Sequence, residues 1–234
     1  MARLVAIHQP NFFPWLGYFE KIRRADVFVV MDNAQFPKTG GTWSNRVRMA
    51  LGGQARWLTM PVVRSFHGLR TYTEMHIDDS RRWRPTLLKT LRTHYARAPH
   101  LGEVLDAVEP LVACDTRGLA EFNLCCIEGL LERLGIDRGK LVLGSTLGCE
   151  GSATDLLVAM VKAVGGTAYL CGMGCAYQED EKFAAAGLDL VRQDFVHPEY
   201  PQCNTAEFLP GLSVLDAALN CGFDGAAALL RRAA

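Results

Sequence analysis

What these 234 residues lack narrows the choice of function before any motif is read. No stretch approaches the roughly 18 consecutive apolar residues that a membrane-spanning helix needs, and MARLVAIHQP has no long apolar export segment. The expectation is a cytoplasmic protein without a membrane partner. An excess of one charge is missing too, since 25 Lys and Arg stand against 25 Asp and Glu. Nothing draws the chain as a whole toward nucleic acid or anionic lipid, so nucleic acid is not expected as a partner. The eight cysteines lack metal-binding spacing: Cys171 and Cys175 are four apart, Cys125 and Cys126 are adjacent, and no second matching pair follows. Reduced thiols are therefore expected, with neither a disulfide framework nor a metal site. Internal repeats are absent, and the length with 49% hydrophobic residues suits one domain with a sizeable core.

Chemistry is densest in the first 46 residues. Leu4 to Ile7 is an apolar run closed by His8, Gln9 and Pro10, and Val27 to Met31 is a second closed by Asp32, so both read as buried strands ending in polar residues. Between them Pro14 to Arg24 reads as a helix, with Trp15, Tyr18, Phe19 and Ile22 three and four apart. Strand, helix and strand make a βαβ unit, which forces the strands parallel and sends His8 and Asp32 to the carboxyl edge of an open sheet.

Trp43 to Ala50 and Ala55 to Val63 flank Leu51-Gly52-Gly53-Gln54 and read as a hairpin. A basic and aromatic helix over residues 81–97 and another from Thr116 to Leu134 read as a helical layer inserted at 81–137 in a single α/β domain of residues 1–234. The α/β pattern then resumes with Leu141 to Leu143 as a strand, Ser152 to Val164 as a helix and Ala168 to Cys171 as a strand. A helix over Glu181 to Ala186, a further strand over Leu190 to Phe195 and a terminal helix from Leu212 to Asn220 complete it. The fold class is α/β: an open, mostly parallel sheet with flanking helices, plus a hairpin and the helical insertion.

His8 offers a general base, or else a histidine that fixes the turn before Pro10. Asp32 offers an orienting partner for that imidazole or a ligand for a substrate hydroxyl or amine, its alternative being a turn cap. Arg46, Asn45 and Trp43 combine a cationic fork, an amide and an aromatic plane, although strand alternation would turn Arg46 away from the other two. Gln9, Asn11, Tyr18 and Gln35 suit contacts to a sugar or amide. Gly172 and Gly174 follow a strand, where backbone N–H groups can approach a ligand, and His197 lies in a Pro-framed loop on the same expected edge. Arg81, Arg82 and Arg84 crowd one helix start, where a phosphate-bearing partner would relieve like charge, the alternative being a solvated basic face.

IHQPNFFPWLGYFEKI, ADVFVVMDNAQF, WSNRVRM, YLCGMGCAY and LSVLDAALNCG together resemble the WbqC-like protein family over nearly the whole chain. Members are associated with bacterial surface-polysaccharide and secondary-metabolite gene clusters, so the resemblance implies a transferase-like role on sugar or acyl intermediates. A weaker likeness links PWLGYFEKIRRADVFVV to nucleotidyltransferases and pantothenate-synthetase-like ligases with an H-x-G-H signature. Only Gly17 matches, Trp15 and Tyr18 standing at the histidine positions. No cofactor is assigned. Two functions follow as expectations. One is an enzyme moving an acyl or aminoacyl group, from a carrier, to an amine such as that of an amino sugar nucleotide, with His8 as base, Asp32 as its partner and Arg46 on an anionic handle. The other is a non-catalytic sugar-nucleotide-binding or scaffold protein.

Overall fold

A computed structural model describes residues 2–172 and 179–232. Leu4–His8 (β1), Leu16–Arg24 (α1) and Val27–Val30 (β2) form the first βαβ unit, and Arg46–Leu51 (β3) with Gln54–Thr59 (β4) form the hairpin. Three helices follow: Trp83–His94 (α2), Leu101–Val112 (α3) and Leu119–Arg133 (α4). The remainder is Leu141–Leu143 (β5), Ala153–Ala163 (α5), Ala168–Cys171 (β6), Asp180–Ala185 (α6), Asp189–Arg192 (β7) and Val214–Arg232 (α7). β1, β2, β5, β6 and β7 make a five-stranded sheet in the order β5-β2-β1-β6-β7, with every neighbouring pair parallel. The fold class expected from the sequence is the one observed.

Helices cover both faces of this sheet, which is why the central strands read as unbroken apolar runs rather than alternating ones. Val5, Ile7, Val27 and Val29 face Leu157, Met160 and Val161 of α5 and Phe183 of α6. Ala6, Phe28 and Val30 face the opposite layer, where Phe19 and Ile22 of α1 meet α7 and the helices α2–α4. Each fully buried Phe or Ile side chain contributes roughly 1.5–3 kcal/mol over its exposed state. α1 lies so deep that Glu20 and Lys21 are buried with its apolar residues. Its last carbonyls, at Arg23 and Ala25, receive Lys140 Nζ at 2.9 and 2.7 Å, which ends the helix with a cation at the negative pole of its dipole.

Several boundaries differ from the sequence reading. β3 starts only at Arg46, because residues 42–45 form a turn in which Thr42 O accepts from the N–H groups of Asn45 and Arg46, each at 3.1 Å. α3 was not expected, and the terminal helix continues ten residues past Gly222 to Arg232, bent where Gly222 adopts φ 72° and ψ 169°. The basic face of α2 is mostly internal bonding. Arg84 donates to the carbonyls of Val112, Cys114 and Thr116 at the end of α3 and to Asp79, while Arg92 pairs with Glu109. Of the arginines at the start of α2, Arg84 therefore caps a neighbouring helix and Arg81 meets Asp78. No described helix is long and apolar enough to cross a membrane.

Candidate functional site

The sheet order reverses beside β1: β2 and β5 lie on one side, β6 and β7 on the other. In open parallel sheets ligands commonly bind at such a reversal, at the carboxyl ends of the two strands it separates, here β1 and β6. His8 closes β1 and Gly172 follows β6, so this edge gathers residues from the start and the later part of the chain.

His8 is only partly covered. Its Nδ1 lies 3.2 Å from Gln9 O, and a carbonyl only accepts, so Nδ1 carries the hydrogen and Nε2 keeps its lone pair. The ring packs edge-on against Tyr18 at 5.0 Å and Trp15 at 5.9 Å, and Tyr18 Oη donates to the same carbonyl at 3.2 Å. Burial, then the charge of Lys21, holds the imidazole well below its ordinary 6.5, at about 3. It is a neutral acceptor across the working pH range rather than a strong base. Lys21 Nζ donates to Ile7 O at 3.0 Å, and a methyl placed on Gly172 would lie 3.8 Å from that ammonium and 3.9 Å from Gln193 Oε1. Gln193 itself is fixed by donating to Gly17 O at 2.7 Å and Glu20 Oε2 at 2.5 Å.

Asp32 does not join this group. Its two oxygens accept from Ser145 N at 2.8 Å and Ser145 Oγ at 2.7 Å, across β2 from His8, and no hydrogen bond links it to the imidazole. It lines a separate cavity of about 230 Å³ with Val30, Thr73, Glu121, Leu143 and Ser145. The orienting partner of His8 is the Gln9 carbonyl, because the Asp32 carboxylate is drawn to the turn after β5.

The 42–45 turn changes the hairpin reading as well. Asn45 is buried, its Oδ1 accepting from Thr42 N at 3.0 Å and its Nδ2 donating to Met60 O at 3.1 Å, so its amide holds the backbone. With residue 43 in a turn, Trp43 and Arg46 come to one side rather than opposite sides. The Trp43 ring lies 5.0 Å from Trp57, and the Arg46 guanidinium carbon lies 4.1 Å above that same ring. Trp15 continues the row, 5.0 Å from Trp43. Aromatic rings thus run without a break from His8 to Arg46, and their outer members are open to solvent, Trp43 at 37% and Trp57 at 42% exposure.

The remaining expected residues fall as follows. Gln9 sits beside His8 with its side chain partly exposed. His197 packs edge-on to Phe195 at 5.1 Å, and burial lowers its basicity. Phe195 also explains Gly17: a methyl there would meet the Phe195 ring and the Trp15 indole nitrogen at 2.9 Å, so the absent side chain serves packing. Asn11 is buried and accepts from Ser44 Oγ at 3.4 Å, and Gln35 is exposed on a backbone bridge to Thr71. Gly174 and Cys175 lie outside the described residues. Lys21, Gln193 and Trp57 are not candidates from the sequence, and Trp15 enters there only as a helix position and at a histidine position of the H-x-G-H signature. Lys21 carried a readable sign, a charge three and four residues from Tyr18 and Gly17 on the apolar face of a helix. Gln193 carried none, because only the parallel pairing of β6 with β7 brings it in.

An uncharacterized protein of Mycobacterium tuberculosis is 26% identical to this chain over 221 residues, 93% of this chain and 94% of that protein. No solved structure matches the chain. The model of the WbqC-like protein family matches residues 9–228, which takes in α1, β2, the hairpin, the helical layer and most of α7, and the chain belongs to that family.

Proposed function

We propose that this protein is a transferase that works at the carboxyl ends of β1 and β6, moving an acyl or aminoacyl group from a carrier to an amine, such as that of an amino sugar nucleotide, in polysaccharide or secondary-metabolite biosynthesis. The observation that carries the reading is the partly exposed imidazole of His8, with its tautomer set by Gln9 O and Nε2 left as an acceptor. In such a transfer the amine nitrogen bonds to the acyl carbon, the carrier oxygen or sulfur leaves with the electron pair, and the amine proton passes through Nε2 to that leaving group. Tyr18 and the Gln9 backbone hold the ring, Lys21 and Gln193 face the anionic or carbonyl part of the substrate, and Asp32 offers an acceptor in the adjoining cavity. An anion brought beside Lys21 offsets one of the two causes that depress His8 and makes it a better proton carrier.

The weak basicity of His8 favours a second reading, a binding protein for sugar nucleotides that performs no reaction. A thermal-shift screen of nucleotides, sugar nucleotides and acyl carriers finds the ligand, since a compound at a hundred times its dissociation constant stabilises by about 2.7 kcal/mol. His8→Ala then separates the readings. The transferase loses about a hundredfold or more in turnover while keeping fold and affinity. An unchanged rate, or loss of affinity alone, contradicts the catalytic reading, and stabilisation by ATP alone points instead to a ligase.

A further inference from the structure

Beyond the sheet edge, a groove of about 770 Å³ runs between the hairpin base, the loop at Gly40 and Gly41, and the segments at 61–65 and 78–81. Arg46, Arg64 and Arg81 line it against a single acid, Asp78, which already accepts from Ser80 Oγ at 2.5 Å and Arg81 Nε at 3.2 Å. The chain is neutral overall, yet this concavity is locally cationic.

Arg46 stands out within it. Arg64 uses its guanidinium to hold the loop, donating to Pro37 O at 3.1 Å and to Lys38 O and Gly40 O at 2.6 Å. The Arg46 guanidinium donates to no acceptor among the described residues, and its Nε is buried without one. A buried N–H left unpaired is unfavourable unless a ligand completes it. The guanidinium carbon lies 4.1 Å from the Trp57 ring centre, a cation–π contact that holds the fork at the groove, where its N–H groups suit a planar or tetrahedral oxyanion. Gly41 makes the pose fit, since a methyl at that position would lie 2.6 Å from Arg46 Nε and 2.7 Å from the guanidinium carbon.

We propose that this groove is the phosphoanion subsite: the diphosphate of a nucleotide-linked substrate seats on the N–H edge of Arg46, and the exposed rings of Trp57 and Trp43 floor the sugar or base attached to it. Gly41 is a positioning residue that leaves room for Arg46 beside Trp57. The identity of the ligand rests on the transferase reading above; the anion site does not.

The test is binding of inorganic pyrophosphate and of uridine diphosphate to the whole chain, read by calorimetry and by tryptophan fluorescence. Both bind the wild type, added salt weakens them, and Arg46→Gln loses roughly tenfold to a hundredfold in affinity. Arg46→Lys, which keeps the charge without the fork, and Gly41→Ala, which keeps the fork but displaces it, fall between, and they also cover the case in which Arg46→Gln is poorly folded. Trp57→Phe loses most of the fluorescence response. A wild type that does not bind pyrophosphate overturns the proposal, as do Arg46 variants that bind it like the wild type. Turnover in His8→Ala reports on the transferase reading alone, so the two fail separately.

Discussion

A histidine at the end of a central strand invites the role of general base, yet its surroundings decide how it acts. Here burial and the Lys21 ammonium push the His8 imidazole down to about 3, so the folded protein keeps it neutral while an unfolded chain takes up a proton near 6.5. The sign of the linkage follows. Above pH 6.5 neither state is protonated and the full stability is present. As the pH falls toward 3, protons bind the unfolded chain and stability drops by at most about 1.4 kcal/mol per unit from this residue. His197, also depressed by burial, adds a loss of the same sign. Urea titrations across this window are expected to show a shallower pH slope in His8→Asn than in the wild type. Equal slopes would mean that His8 titrates normally in the folded protein.

Among the elements, the strands and the helices against them were legible because a parallel sheet covered on both faces demands continuous apolar runs, as at Val27–Val30 and Ala168–Cys171. The hairpin was legible from Gly52 and Gly53, whose φ values of 63° and 79° suit a two-residue turn that other residues resist. What hid the rest was local chemistry that competes with periodicity. Pro110 inside α3 masks a helix that tolerates it in its last turn, and the Asn45 cap on Thr42 replaces strand alternation with a turn. Gly222 reads as a helix stop and is instead a bend between two helical segments that both pack into the core. Its backbone angles belong to glycine, and a methyl there would lie 3.0 Å from the His100 ring. Gly222→Ala is expected to cost on the order of 1–3 kcal/mol, measured as a lower urea midpoint with the same slope. A change within about 0.5 kcal/mol would show that the bend is relaxed.

Across the whole molecule, distant segments are tied by buried polar bonds as well as by the core. Asp216 of α7, buried, accepts from Tyr95 Oη at 2.5 Å and Tyr200 Oη at 2.8 Å, while Tyr95 Oη also accepts from Ala50 N at 2.9 Å. One carboxylate thus joins the end of α2, the hairpin and the segment after β7 to α7, and burial raises its pKa. The reversal of sheet order lies between β1 and β6, whereas a local reading of the first 46 residues places the candidate site one strand away, between His8 and Asp32. Pairing order is a property of the complete sheet, so residues from β6 onward had to be in place before His8 could be matched with Gly172, Lys21 and Gln193. The proposed chemistry requires His8 to be a neutral acceptor at that reversal. Nitrogen-resolved NMR of the six histidine rings through a pH titration tests it most directly. One ring, removed by His8→Asn, is expected to hold the Nδ1–H tautomer with no titration between pH 8 and about 5. A His8 ring that titrates near 6.5, or that carries its proton on Nε2, would contradict the account.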